Sequence, residues 1–253
     1  MSNEVVLKIC NLTKRYGLHD EVIRGIDLDV NRKELFCLLG ANGAGKTTLI
    51  KILCNLILPT SGKVSINGYD IVYDFEKVKR FISLVPGDER SFYWRLTGRQ
   101  NMEFFAALYN LSRKEAAERI EELFYMLRIK EPDRVFHEYS SGEKQRLCIA
   151  RALLNNPEVL FMDELTKDLD PISAKEIKTF IKNELVEKQG RTIFFSTHQL
   201  YEAEELADRI AFMFRGKIVA VGRLDELRKI VGLTNASIYE LYNYFNDNYS
   251  SAK

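Results

Sequence analysis

Apolar and polar residues alternate along residues 5–10 and again along 22–30, the period-two pattern of strands with one buried face. Residues 63–68 repeat it and close on a turn at Asn67-Gly68. Other short runs are apolar almost throughout: Leu35–Leu39, residues 81–85, Val159–Met162, residues 192–195 and Arg209–Phe214. Such runs suit strands buried on both faces of a parallel sheet. The period then lengthens to that of a helix at residues 48–53. Between Phe92 and Asn156 it stays long, with helical spacing over 103–111, 114–127 and 144–154 and no strand signal among them. The pattern predicts an α/β fold with a parallel-sheet core, an antiparallel β subdomain and an inserted α-helical subdomain. Residues 1–88 and 157–224 are assigned to the core and its β layer, and 89–156 to the helical insertion. Residues 225–253 form a short helical extension, all within one domain, 1–253. Residues 237–245 predict a last helix with Tyr239, Tyr242 and Phe245 on one face, a stripe expected to pack as core.

The turn between residues 39 and 48 reads Gly40-Ala41-Asn42-Gly43-Ala44-Gly45-Lys46-Thr47. Strand, glycine loop and helix in that order are the setting of a phosphate-binding loop, which makes the core that of a P-loop NTPase. Glycines let successive backbone N–H groups turn inward around phosphate oxygens, and the following helix presents its positive end. Lys46 is placed to reach the β- and γ-phosphates, and the Thr47 hydroxyl to ligate Mg²⁺, with Thr48 continuing the contact surface. A second element fits the same chemistry: Val159–Met162 is apolar and ends in Asp163 and Glu164. A buried strand ending in acids places them at the sheet edge where open α/β folds bind ligands. Asp163 would hold Mg²⁺, and Glu164 would accept a proton from the water attacking the γ-phosphate.

Composition narrows the partners. The chain has 253 residues, 46% hydrophobic and 29% charged, enough for one core and a subdomain. Thirty-seven basic residues against 36 acidic ones give a net charge of +1, so no global attraction draws it to nucleic acid or anionic lipid. Cys10, Cys37, Cys54 and Cys148 stand far apart among apolar neighbours, a spacing that suits reduced core thiols of a cytosolic protein rather than a metal site. Met1-Ser2-Asn3-Glu4 has no signal-peptide character, and no apolar run reaches the length of a membrane span. A membrane role would be exercised from outside the bilayer.

A third cluster, Tyr139-Ser140-Ser141-Gly142-Glu143-Lys144-Gln145-Arg146, opens a helix upstream of the acidic strand. Ser140 and Glu143 have capping-box spacing, which accounts for both without any ligand. The whole segment resembles the signature of ABC-type ATPases, usually Leu-Ser-Gly-Gly-Gln, and the family's other landmarks follow in order along essentially the whole chain. Tyr16 resembles the aromatic that stacks on adenine, Asp170 the aspartate after the acidic strand, and His198 the histidine that senses the γ-phosphate at the end of the last core strand. The resemblance implies Mg²⁺-dependent ATP hydrolysis by a head-to-tail dimer with a second cassette, identical or related. Ser140, Ser141, Gly142 and Glu143 of one copy would then face the phosphate loop of the other. It also implies a separate membrane permease and a peripheral place on the cytoplasmic face.

The chain departs from the family's pattern at several positions. Ala41 replaces a proline, Ser141 and Glu143 replace glycine and glutamine, and Leu165 replaces the proline after the catalytic glutamate. Gly87 stands where a glutamine senses Mg²⁺ and water, leaving Asp88 or Glu89 to substitute or the coupling to differ. Hydrolysis is expected to be slow but present. The run Leu96-Thr97-Gly98-Arg99-Gln100-Asn101 looks most like cassettes of drug, lipid or polysaccharide exporters. Phe92, Tyr93 and Trp94 either fill the core of the helical insertion or line a groove for the permease. An importer cassette and a non-transport regulator of a membrane complex are the alternatives. DNA-repair relatives would need a long coiled coil, where about a hundred residues without heptads stand here.

Overall fold

The computed structural model describes residues 4–17, 20–87 and 92–251. One sheet is antiparallel, with β1 (Val5–Tyr16), β2 (Asp20–Asn31), β4 (Ser61–Ile66) and β5 (Tyr69–Asp70) in the order β2-β1-β4-β5. The other runs β10-β9-β3-β8-β7-β6, built from β3 (Leu35–Leu39), β6 (Ile82–Val85), β7 (Val159–Met162), β8 (Thr192–Thr197), β9 (Arg209–Phe214) and β10 (Lys217–Gly222). Its pairings are parallel except for β9 with β10.

All five residues of β3 are buried, and they alternate between two cores. Leu35, Cys37 and Leu39 join the helices in one apolar cluster, while Phe36 and Leu38 face the antiparallel sheet and α1 (Lys46–Leu53) in the other. Period two survives inside a continuous apolar run because each face has its own partner. β3 lies between β8 and β9, with Leu39 opposite Thr197 and Phe212. β7 lies between β6 and β8, with Met162 opposite Phe195. The residues that follow β3, β7 and β8 therefore leave the sheet along one edge, where the chain crosses from one side of β3 to the other.

Helices α2 (Phe75–Val78), α3 (Gly98–Leu108), α4 (Arg113–Met126) and α5 (Ser141–Leu153) come next, followed by α6 (Pro171–Phe180), which continues as a π-helix over Ile181–Lys188. α7 (Leu200–Leu206), α8 (Leu224–Val231) and α9 (Ile238–Ser251) complete the chain. α3, α4 and α5 each begin at a reciprocal capping box, Thr97/Gln100, Ser112/Glu115 and Ser140/Glu143. Among the described residues, no helix is long and apolar enough to cross a membrane.

Several expectations need correction. Cys10 is exposed, because strand alternation puts it on the outer face with Lys8 while Ile9 turns inward. The buried stripe of α9 is Ile238, Leu241 and Phe245, with Tyr242 partly covered and Tyr239 turned to solvent. The aromatic trio splits: Phe92 is buried and stacked on Phe136 at 4.7 Å, whereas Tyr93 and Trp94 are exposed. His198 follows β8, but β9 and β10 still come after it in the same sheet.

Candidate nucleotide site

The loop after β3 is shaped by what its glycines touch. A Cβ at Gly40 would sit 2.5 Å from the Met213 carbonyl of β9, so the chain passes there only without a side chain. Gly45 has φ +108°, a left-handed conformation that glycine adopts at little cost, and it begins α1 with no side-chain cap. The first N–H groups of α1 thus keep their capacity for an anion.

Lys46 is buried, and its Nζ donates to the Gly40 and Ala41 carbonyls at 2.8 and 3.1 Å. Burial lowers the ammonium's pKa, while the carboxylates of Glu164 and Asp163 oppose that shift. Thr47 Oγ1 donates to Asp163 Oδ2 at 2.8 Å, bringing a hydroxyl and a carboxylate together from α1 and the end of β7. Hard oxygen donors of this kind suit Mg²⁺, which keeps most of its shell for water and phosphate. Ser196 Oγ makes a short hydrogen bond to Asp163 Oδ1 and accepts the Glu164 N–H at 3.2 Å. Glu164 has φ +49°, a left-handed backbone state that costs a residue other than glycine about 1–3 kcal/mol. Its carboxylate lies between His198 and Lys167, with Oε1 3.4 Å from His198 Nδ1 and Oε2 3.4 Å from Lys167 Nζ. Gly87 packs its Cα side against this turn, a Cβ there falling 3.0 Å from the Asp163 carbonyl. Asp88 and Glu89 lie outside the described residues.

The segment Ser140–Glu143 is separately organised. Ser140 Oγ accepts the Glu143 N–H at 3.3 Å, and Glu143 Oε2 accepts the Ser140 N–H at 2.8 Å. Glu143 Oε1 pairs with Arg134 Nη2 at 2.6 Å. Burial would push the Glu143 carboxyl up, but the Ser140 N–H and Arg134 outweigh it and hold the group below the usual range. Glu143 therefore turns back on its own helix, leaving Ser141 and Gly142 as the first residues of α5. Gly142 marks a close crossing: a Cβ would meet Ser173 Oγ of α6 at 2.6 Å. Asp170 caps α6, accepting the Ile172 and Ser173 N–H groups at 2.9 and 3.0 Å, ahead of Pro171 at the first helical position. Tyr16 ends β1, partly exposed, with Lys14 Nζ 5.0 Å over its ring.

The structure thus gathers Lys46, Thr47, Asp163, Glu164 and His198 at one sheet edge, and Ser140 to Glu143 with Asp170 at the start of two crossing helices. Sequence reasoning missed Ser196, Lys167 and Glu202. Glu202 is buried in α7, accepts the Thr166 hydroxyl at 2.7 Å, and is pushed up by burial against the pull of Thr197 and Thr166. The available signal for Ser196 was a hydroxyl at the end of an apolar strand, two residues before His198.

Known proteins resemble this chain in sequence and fold. The ABC transporter family matches residues 23–167. A daunorubicin resistance ATP-binding protein of Streptomyces coeruleorubidus is 35% identical over 230 residues, 90% of this chain and 72% of that one. A bacitracin transport ATP-binding protein of Enterococcus faecalis is 39% identical over 90% of this chain and 73% of its own. Among solved structures, an ATP-binding subunit of an ABC transporter superposes with TM-score 0.84 at 30% identity, covering 95% of this chain and 99% of that one. A dimeric ATP-binding cassette in a post-hydrolysis state with ADP and phosphate gives TM-score 0.77 at 28% identity, over 86% and 98% of the two chains.

Proposed function

From the premise that this chain belongs to the ABC transporter family of ATP-binding proteins, we propose that it is the ATP-hydrolysing subunit driving export through a separate membrane permease. One observation carries the chemistry: Thr47, Asp163 and Ser196 form a hydrogen-bonded series beside the Glu164–His198 pair. The relatives named for drug resistance and bacitracin transport support the export direction.

On this reading, Tyr16 stacks on the adenine, residues Gly40 to Thr48 wrap the phosphates, and Lys46 exchanges its loop carbonyls for β- and γ-phosphate oxygens. Thr47 and Asp163 hold Mg²⁺, which when bound neutralises charge on the phosphates. Ser196 fixes the Asp163 carboxylate. Glu164 takes a proton from the attacking water, and His198 contacts the γ-phosphate and keeps Glu164 aimed. Lys167 competes for the same carboxylate and must yield it. Ser140, Ser141 and Gly142 of a second cassette supply the facing donors, with Asp170 at the seam, and Glu143 stays on its own helix. ATP then stabilises the closed pair by touching both surfaces, and hydrolysis removes that bridge. Residues 1–88 and 157–224 act as the nucleotide core, 89–156 as the helical unit and 225–253 as the extension. Tyr93 and Trp94 stand at the surface of the helical unit, where a permease helix would dock from the cytoplasmic face.

Glu164→Gln tests the mechanism. Turnover is expected to fall about 10²-fold or more while Mg-ATP binding persists. The variant saturated with Mg-ATP should migrate as a dimer, alone or with a related cassette. A monomer under those conditions would overturn the shared site.

A further inference from the structure

Two residues that set the start of α5 apart, Tyr139 and Glu143, meet the same side chain. Glu143 Oε1 lies 2.6 Å from Arg134 Nη2, and the guanidinium stacks over the Tyr139 ring at 4.8 Å. The usual signature has leucine and glutamine at these two positions, which offer neither a charge nor a ring face. Arg134 is itself held in place. Its carbonyl accepts the Gly98 N–H at 3.2 Å, its N–H donates to the Glu131 carbonyl at 3.2 Å, and the next residue, Val135, bridges to Thr97. Tyr139 is buried, its hydroxyl donates to the Glu131 carbonyl at 2.8 Å, and a side chain at Gly98 would collide with that hydroxyl. The guanidinium Nε and Nη2 are shielded from water, so Glu143 and the ring answer their charge. Nη1 faces Glu131 Oε2 at 3.0 Å, and Lys144 Nζ lies 5.7 Å over the Phe136 ring.

We propose that Arg134 is a positioning residue for the start of α5, neutralising Glu143 so that this helix end accepts the phosphates of ATP bound to a second copy of the chain. This rests on the reading of Ser140 to Gly142 as the donors that face that copy. Carboxylate and phosphate compete for one electropositive helix end. The first N–H groups of α5 favour a negative charge, and Glu143 already supplies one. Its Oε2 accepts the Ser140 N–H at 2.8 Å and the Ser140 hydroxyl at 2.9 Å, the same groups that would serve a phosphate. An incoming triphosphate would therefore meet like charge as the two copies close and water leaves. Arg134 cancels that charge from the side of the helical unit, and its stacking on Tyr139 keeps it there. With Arg134 and Lys144 set against Glu131 and Glu143, these charges balance. Without the guanidinium the same surface turns acidic. Arg134 touches no reacting atom, so its loss should appear in the closing of the pair and not in nucleotide capture by a single chain.

The test is a charge cycle in the full-length Glu164→Gln chain, with dimer formation followed by light scattering as Mg-ATP is added at low salt. Arg134→Gln is expected to raise the ATP concentration for half-maximal dimer about tenfold. Glu143→Gln, which keeps a capping side chain at its position, should lower that concentration. The double variant restores the charge balance and should return to within about twofold of the starting chain. Arg134→Lys keeps the charge and should recover most of the loss. At about 0.5 M salt the four values should converge, because these partly exposed charges are screened. Fluorescent trinitrophenyl-ATP should bind the dilute Arg134→Gln monomer as it binds the starting chain. A double variant as impaired as Arg134→Gln alone would make Arg134 a strut and overturn the proposal, as would no loss in Arg134→Gln. A starting chain that binds the probe but never dimerises would overturn the shared-site reading and the proposal with it.

Discussion

The two regions proposed to face the phosphates are built in opposite ways. The cluster at the sheet edge draws Thr47 from α1, Asp163 and Glu164 from the end of β7, and Ser196 and His198 from the end of β8. Each side chain there is held by a residue 30 or more positions away, so geometry depends on strand register. The start of α5 is local. Ser140 and Glu143 satisfy each other three residues apart, as Thr97/Gln100 and Ser112/Glu115 do on helices with no assigned chemistry. A long-range cluster reports the fold, whereas a capping box reports only a helix start. What distinguishes the α5 box is its neighbour, because Gly142 lets α6 and the Asp170 cap come within contact.

After Glu164→Gln, the sharpest challenge to this contrast is Ser196→Ala. Removing a hydrogen bond to a charged carboxylate is expected to lower kcat about tenfold or more and to raise the Mg²⁺ concentration needed for half-maximal rate. An unchanged Mg²⁺ dependence would mean that Asp163 is held without Ser196. Next comes a matched pair, Ser140→Ala and Ser112→Ala. Each loses a helix cap and about 1 kcal/mol of stability by denaturant melts. Only Ser140→Ala should also depress ATPase, and equal rates in the two variants would reduce the α5 segment to a cap. The smallest effect concerns Glu202→Gln. The native carboxyl is raised above its ordinary 4.5 by burial, so the folded state prefers it protonated. Its contribution is thus intact at low pH and is lost as pH climbs through the folded pKa. The melting temperature of Glu202→Gln relative to the parent should shift in the variant's favour as pH rises from the ordinary carboxyl range toward neutrality, and a flat difference would show that Glu202 does not ionise over that range.

The sequence carried the strands best where an apolar run met polar residues abruptly. Leu35–Leu39, Val159–Met162 and Arg209–Phe214 appear with the bounds expected of them. β1 was read to residue 10 but runs to Tyr16, because register shifts from Asn11 onward blur the alternation. β10 and the helices from 171 to 206 went unread: β10 is only partly buried, and α6 passes into a π-helix whose wider turn breaks the 3.6 period. At the site, residues in the glycine loop and the acidic strand end were legible from their spacing. Ser196, Lys167 and Glu202 were not, since their partners Asp163, Glu164 and Thr166 belong to another segment or to a left-handed turn that no local pattern announces.

The outward face of β1 has a practical consequence. Of the four cysteines only Cys10 is exposed, while Cys37, Cys54 and Cys148 are buried, and burial also holds the Cys37 and Cys54 thiols in their protonated, unreactive form. A maleimide dye should therefore couple once per molecule, on the strand that ends at Tyr16. The unaltered chain already carries a single attachment point for a fluorophore, on the strand whose last residue is proposed to stack on adenine.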